Sequence, residues 1–400
     1  MKKPIRWSSM GALALLALAL TPRPANAIPA WARKYNMNCS GCHYPVVPQL
    51  NADGLRFKWA GYRMPDEIGK SAEVKKIEDY FAARGTVRYA YTKTRGEAAD
   101  TNAFFIPAVS LFAAGAIGKN FGGYFELERL PEGTVDVIGQ IASVWGKEDK
   151  FGGIRFVQGH MLVGGAAAGF DRPIGVLTPL PVGEFTTTVV PFSFAGDLAG
   201  LEASYVVGKR NRTSLGFVNG HTASGEEGGL STRKDAFITN QYIWDEKGGG
   251  LTAVGYYGTI SGFDATTPSS NSHFYRLAAT ANKYFGGVGV LGGYVYSKDK
   301  DLPADFEPSF GEPSVSGSAY WLAGSYTLPK TFLTMYGRYE FLNPDRAVTD
   351  AGFKRFVLGS VLPINVPEYL RLGVEYFHDS PRADGLPTRQ GIYTELQLAF

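Results

Sequence analysis

Cys39-Ser40-Gly41-Cys42-His43 contains the only two cysteines of the 400-residue chain, so all thiol chemistry is confined to one pentapeptide. Cys-x-x-Cys-His is the attachment signature of a c-type haem. Two thiols three positions apart on a short helical turn reach both vinyl groups at one porphyrin edge, and the following imidazole falls beneath the iron. A thioredoxin-like redox pair would need a βαβ frame, and a zinc site would need two further Cys or His close by; neither surrounds this box. The spacing therefore predicts one covalently bound haem c, with Cys39 and Cys42 as thioether links and His43 as axial ligand.

The box does not determine the opposite axial position. No second histidine lies in the same segment, which argues against a local bis-His centre. Met64 is the only methionine after the box and before the β-rich part, and a thioether opposite His43 would raise the haem potential. Met64 as mere packing filler is the plainer reading. His160 competes: it alternates with Phe156 and Gln158, and it faces inward if Val157 and Met161 face outward. An open distal position is the remaining option. His221, His273 and His378 fall in or beside long loops and read as solvated.

The elements that position the box begin with a leader. Lys2 and Lys3 precede an apolar run from Met10 to Leu20, and Ala25-Asn26-Ala27 is a small-x-small cleavage site, so residues 1–27 read as a secretory signal peptide. The mature chain is then expected to begin near Ile28. Export delivers the thiols to a compartment outside the cytosol, as haem ligation to cysteine requires.

The rest of the chain is rich in strand-forming and turn residues, with 50 Gly, 22 Tyr and 26 Phe, and its net charge of +3 excludes a strongly basic nucleic-acid binder. Leu372, Val374 and Tyr376 alternate with Arg371, Glu375 and Phe377. Leu333, Met335, Tyr339 and Phe341 alternate with Thr334, Tyr336, Arg338 and Glu340. One face is apolar and the other charged, with period two. A β-sandwich gives the same alternation; the connections favour a membrane barrel. About sixteen strands can be read between residues 85 and 400, and their connections mostly alternate short and long. Gly118–Asn120, Lys209–Arg212, Asp245–Gly248, Phe285–Gly287 and Pro329-Lys330 are tight, while 164–199, 221–234, 261–272, 299–317 and 378–390 are long. In the last strand Ile392, Thr394, Leu396, Leu398 and Phe400 share one face, an ending that resembles the recognition signal of outer-membrane barrels. The fold expected is all-β: a transmembrane outer-membrane barrel over 85–400 with a short haem segment and linker over 28–84. Lys70 to Arg84 reads as a polar helix or linker. So short a segment cannot enclose a haem with its own core, so its walls are expected to come from the barrel, in the lumen or at the periplasmic mouth.

Glu126, Glu128, Glu202, Glu340, Glu375 and Glu395 alternate with apolar residues and should point inward, and loop 299–317 carries Asp299, Asp301, Asp305, Glu307 and Glu312. A carboxylate-lined lumen with an acidic mouth would concentrate a small divalent cation, although polar lumens are general in barrels. No nucleophile with its base, phosphate loop or Rossmann turn is present in the sequence.

Ile28-Pro29-Ala30-Trp31-Ala32-Arg33-Lys34-Tyr35, the Cys-x-x-Cys-His box, Pro48-Gln49-Leu50-Asn51, Gly54, Phe57 and Gly61-Tyr62-Arg63 closely resemble the N-terminal segment of fused outer-membrane cytochrome-porins. That family includes the iron-oxidising cytochrome-porins. The resemblance rests on a stretch of roughly forty residues, and the barrel agrees in size and pattern. It implies a monohaem cytochrome fused to a barrel in the bacterial outer membrane, among outer-membrane lipid. It further implies electrons taken from extracellular Fe(II) or another small reductant and passed to a periplasmic cytochrome or copper protein. Two other readings stand beside this oxidoreductase: an electron conduit without iron specificity, running in either direction, and a porin whose haem segment is a plug or sensor.

Overall fold

The computed structural model describes residues 30–72, 76–97, 99–159, 174–183, 190, 192–194, 196, 198–222, 234–261, 271–300, 314–348, 350–364, 370–382 and 386–399. The expected signal peptide, His160, the charged residues of 301–313 and Phe400 lie outside them.

The alternating stretches form strands β1 (Phe81–Thr94), β2 (Thr101–Ile117), β3 (Phe121–Arg129), β4 (Val135–Lys147), β5 (Lys150–Gly159), β6 (Leu198–Val207), β7 (Asn211–Asn219), β8 (His221–Thr222) and β9 (Lys234–Ile243). They continue as β10 (Gly250–Ser261), β11 (Asn271–Phe285), β12 (Val288–Lys300), β13 (Ser314–Thr327), β14 (Thr334–Asn343), β15 (Phe353–Pro363), β16 (Leu370–Pro381) and β17 (Arg389–Ala399). β8 only bridges in parallel to the end of β10, while β7 pairs directly with β9. The wall is therefore sixteen antiparallel strands. It closes where β1 pairs with β17, from Arg84 opposite Ala399 to Thr94 opposite Arg389. Closure leaves no open edge, which lets a sheet cross a membrane with its backbone groups satisfied.

Period two sorts the side chains as expected. Leu127, Ile141, Leu201, Leu215, Ile238 and Leu322 are exposed on the outer surface, while Glu126, Gln140, Glu202, Arg338 and Glu340 are buried on the inner one. The outer face also carries exposed aromatics beside the tight turns, Phe121, Trp145, Tyr205, Tyr242, Phe285 and Tyr326, and a second set toward the other end that includes Phe104, Tyr257, Tyr275 and Tyr320. An apolar band between two aromatic girdles is a lipid-facing surface.

Three expectations are corrected. Residues 81–84 belong to β1 rather than to a linker, because Phe81–Arg84 pair with Ala113–Ser110 of β2; among the described residues of 70–84, Ile77–Asp79 forms a short 3-10 turn. Second, several strands run further than the apolar alternation could show, so His378 lies within β16 and Asp299 within β12. Backbone pairing continues where the side chains have already become polar. Finally, on β5, Val157 is fully buried on the inner face and Phe156 half-exposed on the outer one, the reverse of the assignment that turned His160 inward.

The lumen is crossed from both ends. At the tight-turn end the N-terminal segment docks on the turns: Arg63 donates to Lys119 O at 2.5 Å, Gly69 N–H to Lys119 O at 3.2 Å, and Ala72 bridges to Gly118. From the opposite end, part of the long β5–β6 connection folds inward. Glu375 accepts from Val176 N–H and Leu177 N–H at 3.0 and 2.9 Å, Glu340 accepts from Leu180 N–H at 2.6 Å, and Arg338 donates to Leu177 O at 2.8 Å. Phe192 of the same connection packs on Tyr256 and Phe274. Backbone N–H groups bonded to ionised carboxylates are strong contacts. Glu340→Gln/Glu375→Gln should accordingly raise single-channel conductance in planar bilayers well above that of the wild type; equal conductance would show that the clamp does not restrict the lumen.

Candidate functional site

The Cys-x-x-Cys-His box folds as one tight turn. Cys39–Gly41 form a 3-10 helix, Cys42 N–H donates to Cys39 O at 3.1 Å and His43 N–H to the same oxygen at 2.9 Å. This puts both thiols and the imidazole on consecutive helical steps. Asn51 fastens the turn to the next helix, Ala52–Trp59: its Oδ1 caps the helix by accepting from Gly54 N–H at 2.9 Å, and its Nδ2 donates to Ser40 O and Gly41 O, each at 3.1 Å. Gly54 lies so close to the Cys42 carbonyl that a methyl group there would overlap it. Asn51→Ala removes the cap and both carbonyl contacts, so this segment should lose about 1–2 kcal/mol. Faster amide exchange at residues 40–43 than in the wild type would register the loss; unchanged protection would count against this role.

His43 Nδ1 lies 3.0 Å from Gln49 O. A carbonyl only accepts, so Nδ1 carries the proton and Nε2 of the neutral ring is the lone-pair nitrogen. Metal-binding histidines are commonly oriented this way.

Cys39, Cys42, His43 and Met64 all line one predominantly apolar cavity of about 350 Å³. Neither cysteine forms a disulfide. Burial, with the nearby Asp53 charge adding to it, pushes the Cys42 thiol up to about 11. A redox-active Cys-x-x-Cys carries a thiol lowered toward or below neutrality, so the shift runs against the thioredoxin-like alternative. The sign gives a prediction for haem-free Cys39→Ala protein: Cys42 is a thiol at neutral pH, and its alkylation rate should climb with pH up to about 11. A rate already levelling off near pH 9 would refute the buried thiol.

The cavity walls come from two sources. Trp31, Phe57 and Tyr62 belong to the N-terminal segment, and Phe112 and Tyr124 to β2 and β3. Trp31 stacks on Tyr62 with centroids 5.1 Å apart, and Tyr62 on Tyr124 at 5.4 Å. Segment and barrel thus share one aromatic core, as expected from a segment too short to build its own. They meet too closely for any added atom at Gly122 of β3, where a methyl would overlap the Gly61 carbonyl.

Met64, half-buried, packs on this core, and its N–H donates to Glu67 Oε2 at 3.0 Å; the same oxygen accepts from Tyr35 OH at 2.7 Å. The cavity therefore unites the Cys-x-x-Cys-His residues with Met64, the first candidate for a distal ligand. Met37, two residues before the box, also lines it and was missed from the sequence, because nothing in the spacing distinguishes it from filler. The barrel residues Arg84, Tyr284, Arg371 and Gln397 were likewise unreadable, being brought in only by closure of the barrel.

These residues fit a c-type haem: paired thiols on one turn, an imidazole in the correct tautomer, and an apolar cavity with aromatic walls. Cys39 and Cys42 would hold it covalently, His43 would ligate its iron, and Met64 and Met37, which line the same cavity, are the candidates for a further ligand.

The inward carboxylates are found where the alternation put them, but they are engaged. Glu126 and Glu128 bond Arg84 at 2.9 and 2.6 Å, Glu202 bonds Arg155 at 2.8 Å and also Arg212, Glu340 pairs with Arg338, and Glu395 bonds Arg88 at 2.7 Å. Glu375 is occupied by Tyr336 OH at 2.7 Å and the two N–H groups of the inward segment. Asp299, expected in the acidic loop, is fully buried on Arg276 at 2.7 Å. Paired in this way, the described lumen acids act as wall braces rather than as open cation ligands.

No family model and no curated protein matches the chain. Among solved structures it is similar in fold to a loop-deletion variant of OmpT, an outer membrane protein of Vibrio cholerae, at 14% identity and a TM-score of 0.53, covering 80% of this chain and 99% of that one. An anion-selective porin from Comamonas acidovorans gives 11% identity and a TM-score of 0.53, covering 80% and 98%. OprB of Pseudomonas putida gives 8% identity and 0.52, covering 80% and 94%. The chain thus has the closed sixteen-stranded barrel fold of the porins.

Proposed function

We propose that this chain is an outer-membrane cytochrome-porin: one haem c, seated at the periplasmic mouth of the barrel, receives electrons from a small extracellular reductant, Fe(II) first among them, and passes them to a periplasmic cytochrome or copper protein. The observation that carries this reading is the convergence of Cys39, Cys42, His43 and Met64 on one cavity walled jointly by segment and barrel. When bound, the haem supplies reversible one-electron chemistry. The chain's own residues do the rest. His43, oriented through Gln49, would ligate the haem iron, and Trp31, Tyr62 and Tyr124 would exclude water from it, an environment that favours the less charged ferrous state. Asn38 and Ser40 are exposed beside the box at the tight-turn end, which leaves that side accessible to a carrier. Tight turns on the periplasmic side are the orientation of outer-membrane barrels.

A conduit without iron specificity is the second reading, favoured by the arginine pairing of the lumen carboxylates, which weakens a cation-gathering lumen. Purified protein should give a pyridine haemochrome of one haem per chain and, under the first reading, saturable oxidation of dissolved Fe(II) with a haem midpoint matched to it. A haem that dissolved Fe(II) fails to reduce, while other small reductants do, would select the conduit, and no haemochrome would refute both.

A further inference from the structure

Lys58, Arg84 and Arg371 line the cavity that holds the box, and no Asp or Glu is among its described lining residues. A largely apolar cavity whose ionic lining is wholly cationic suits a ligand with an anionic edge. Two of the three cations come from the barrel, and the pairing register places them together at its seam. Arg84 of β1 is opposite Ala399 of β17, and Gln397, two residues earlier on the same face, is opposite Arg371 of β16. Gln397 Nε2 also donates to Thr86 Oγ1 at 3.3 Å, joining the first and last strands.

Both arginines are partly engaged by the chain itself. Arg84 spends Nη2 on Ser110, Glu126 and Glu128, while its buried Nε has no hydrogen-bond partner in the structure. Arg371 donates through Nη1 to Val47 O of the N-terminal segment, and its Nη2 is 3.8 Å from Glu395, a carboxylate already held by Arg88 at 2.7 Å.

We propose that the seam patch of Arg371 and Gln397, with Arg84 beside it, binds the propionate carboxylates of the haem, so that the barrel wall orients a cofactor which the N-terminal segment attaches. This rests on the haem reading above. A guanidinium is suited to carboxylates, offering a planar fork of donors. A cation at that edge also disfavours the more positive ferric state, which makes Arg371 a positioning residue that raises the haem potential.

The test is a redox titration over pH 5–8 of purified, heat-modifiable Arg371→Gln, Arg371→Lys, Gln397→Ala and Lys58→Gln proteins, each checked by pyridine haemochrome. Thioether links keep the haem in place in every variant. Arg371→Gln should shift the midpoint to lower potential and steepen its pH dependence as an unpaired propionate titrates. Arg371→Lys should restore most of the midpoint, and Lys58→Gln should move it less than Arg371→Gln. An unchanged midpoint and pH profile in haem-loaded Arg371→Gln, or a larger shift in Lys58→Gln, overturns the assignment. Should Arg371→Gln fail to assemble, Gln397→Ala carries the test: a smaller shift in the same direction supports the proposal and none overturns it. Absence of haem from the wild type would instead refute the functional reading.

Discussion

Cys39→Ala/Cys42→Ala protein is expected to reach the membrane as a heat-modifiable barrel with haem staining reduced to background and with no reductant-dependent visible spectrum. The whole effect follows from two thioether links, because those residues are the only cysteines in the chain. Every wall strand lies between Phe81 and Ala399, beyond the box, so barrel closure does not depend on the thiols. Cys42→Ala alone leaves at most one link. His43→Ala keeps both links but loses the axial nitrogen, so its haem should stain while its visible spectrum changes. A spectrum unchanged in His43→Ala would show that the axial assignment is wrong, and covalent haem in the double variant would remove the basis of the proposed function.

Gly122→Val should undock the N-terminal segment without opening the barrel. Gly122 pairs with Ala142 in the β3–β4 ladder, and any side chain there must displace the Gly61 carbonyl. Gly61 adjoins Tyr62, which stacks between Trp31 and Tyr124, and Arg63, whose guanidinium is held by the β2–β3 turn. A backbone-to-backbone overlap cannot be relieved by a rotamer change, so the segment must move as a unit. Overpacking of this kind costs about 1–3 kcal/mol, which corresponds to roughly 5- to 150-fold more of the undocked form. Limited proteolysis between residues 64 and 80 should accelerate by that order, while heat-modifiability persists and the haem stays covalently attached. Equal cleavage rates in an assembled barrel would mean that the contact does not hold the segment.

Much of this was legible in residue order because the underlying physics is local or strictly periodic. The thiol spacing depends on a single helical turn, and His43 follows Cys42 directly. The barrel wall is written as alternation, since a strand that separates lipid from lumen must change polarity at every residue. Glu126, Glu202 and Glu340 could thus be placed inward before any contact was known. The same alternation fails where its premise fails. On β5 the inner residue is the apolar Val157, because the lumen there is filled with protein rather than water, so apolar did not mean outward. The strand ends were short for a related reason: beyond the lipid band both faces are polar and the period disappears.

What the sequence determined by itself was the wall and the Cys-x-x-Cys-His spacing on which the proposed haem rests: one such box and some sixteen strands with lipid on one side. Only the tertiary structure decided what surrounds the box and what occupies the lumen. Arg371 meets Val47 across 324 residues, and Arg84 comes beside Ala399 only when the first strand closes on the last. Glu126, Glu202 and Glu395, which residue order offered as cation ligands, became wall braces because arginines on other strands reach them. Such partners are set by the register and closure of the sheet, which depend on all strands together and leave no mark in any single one of them.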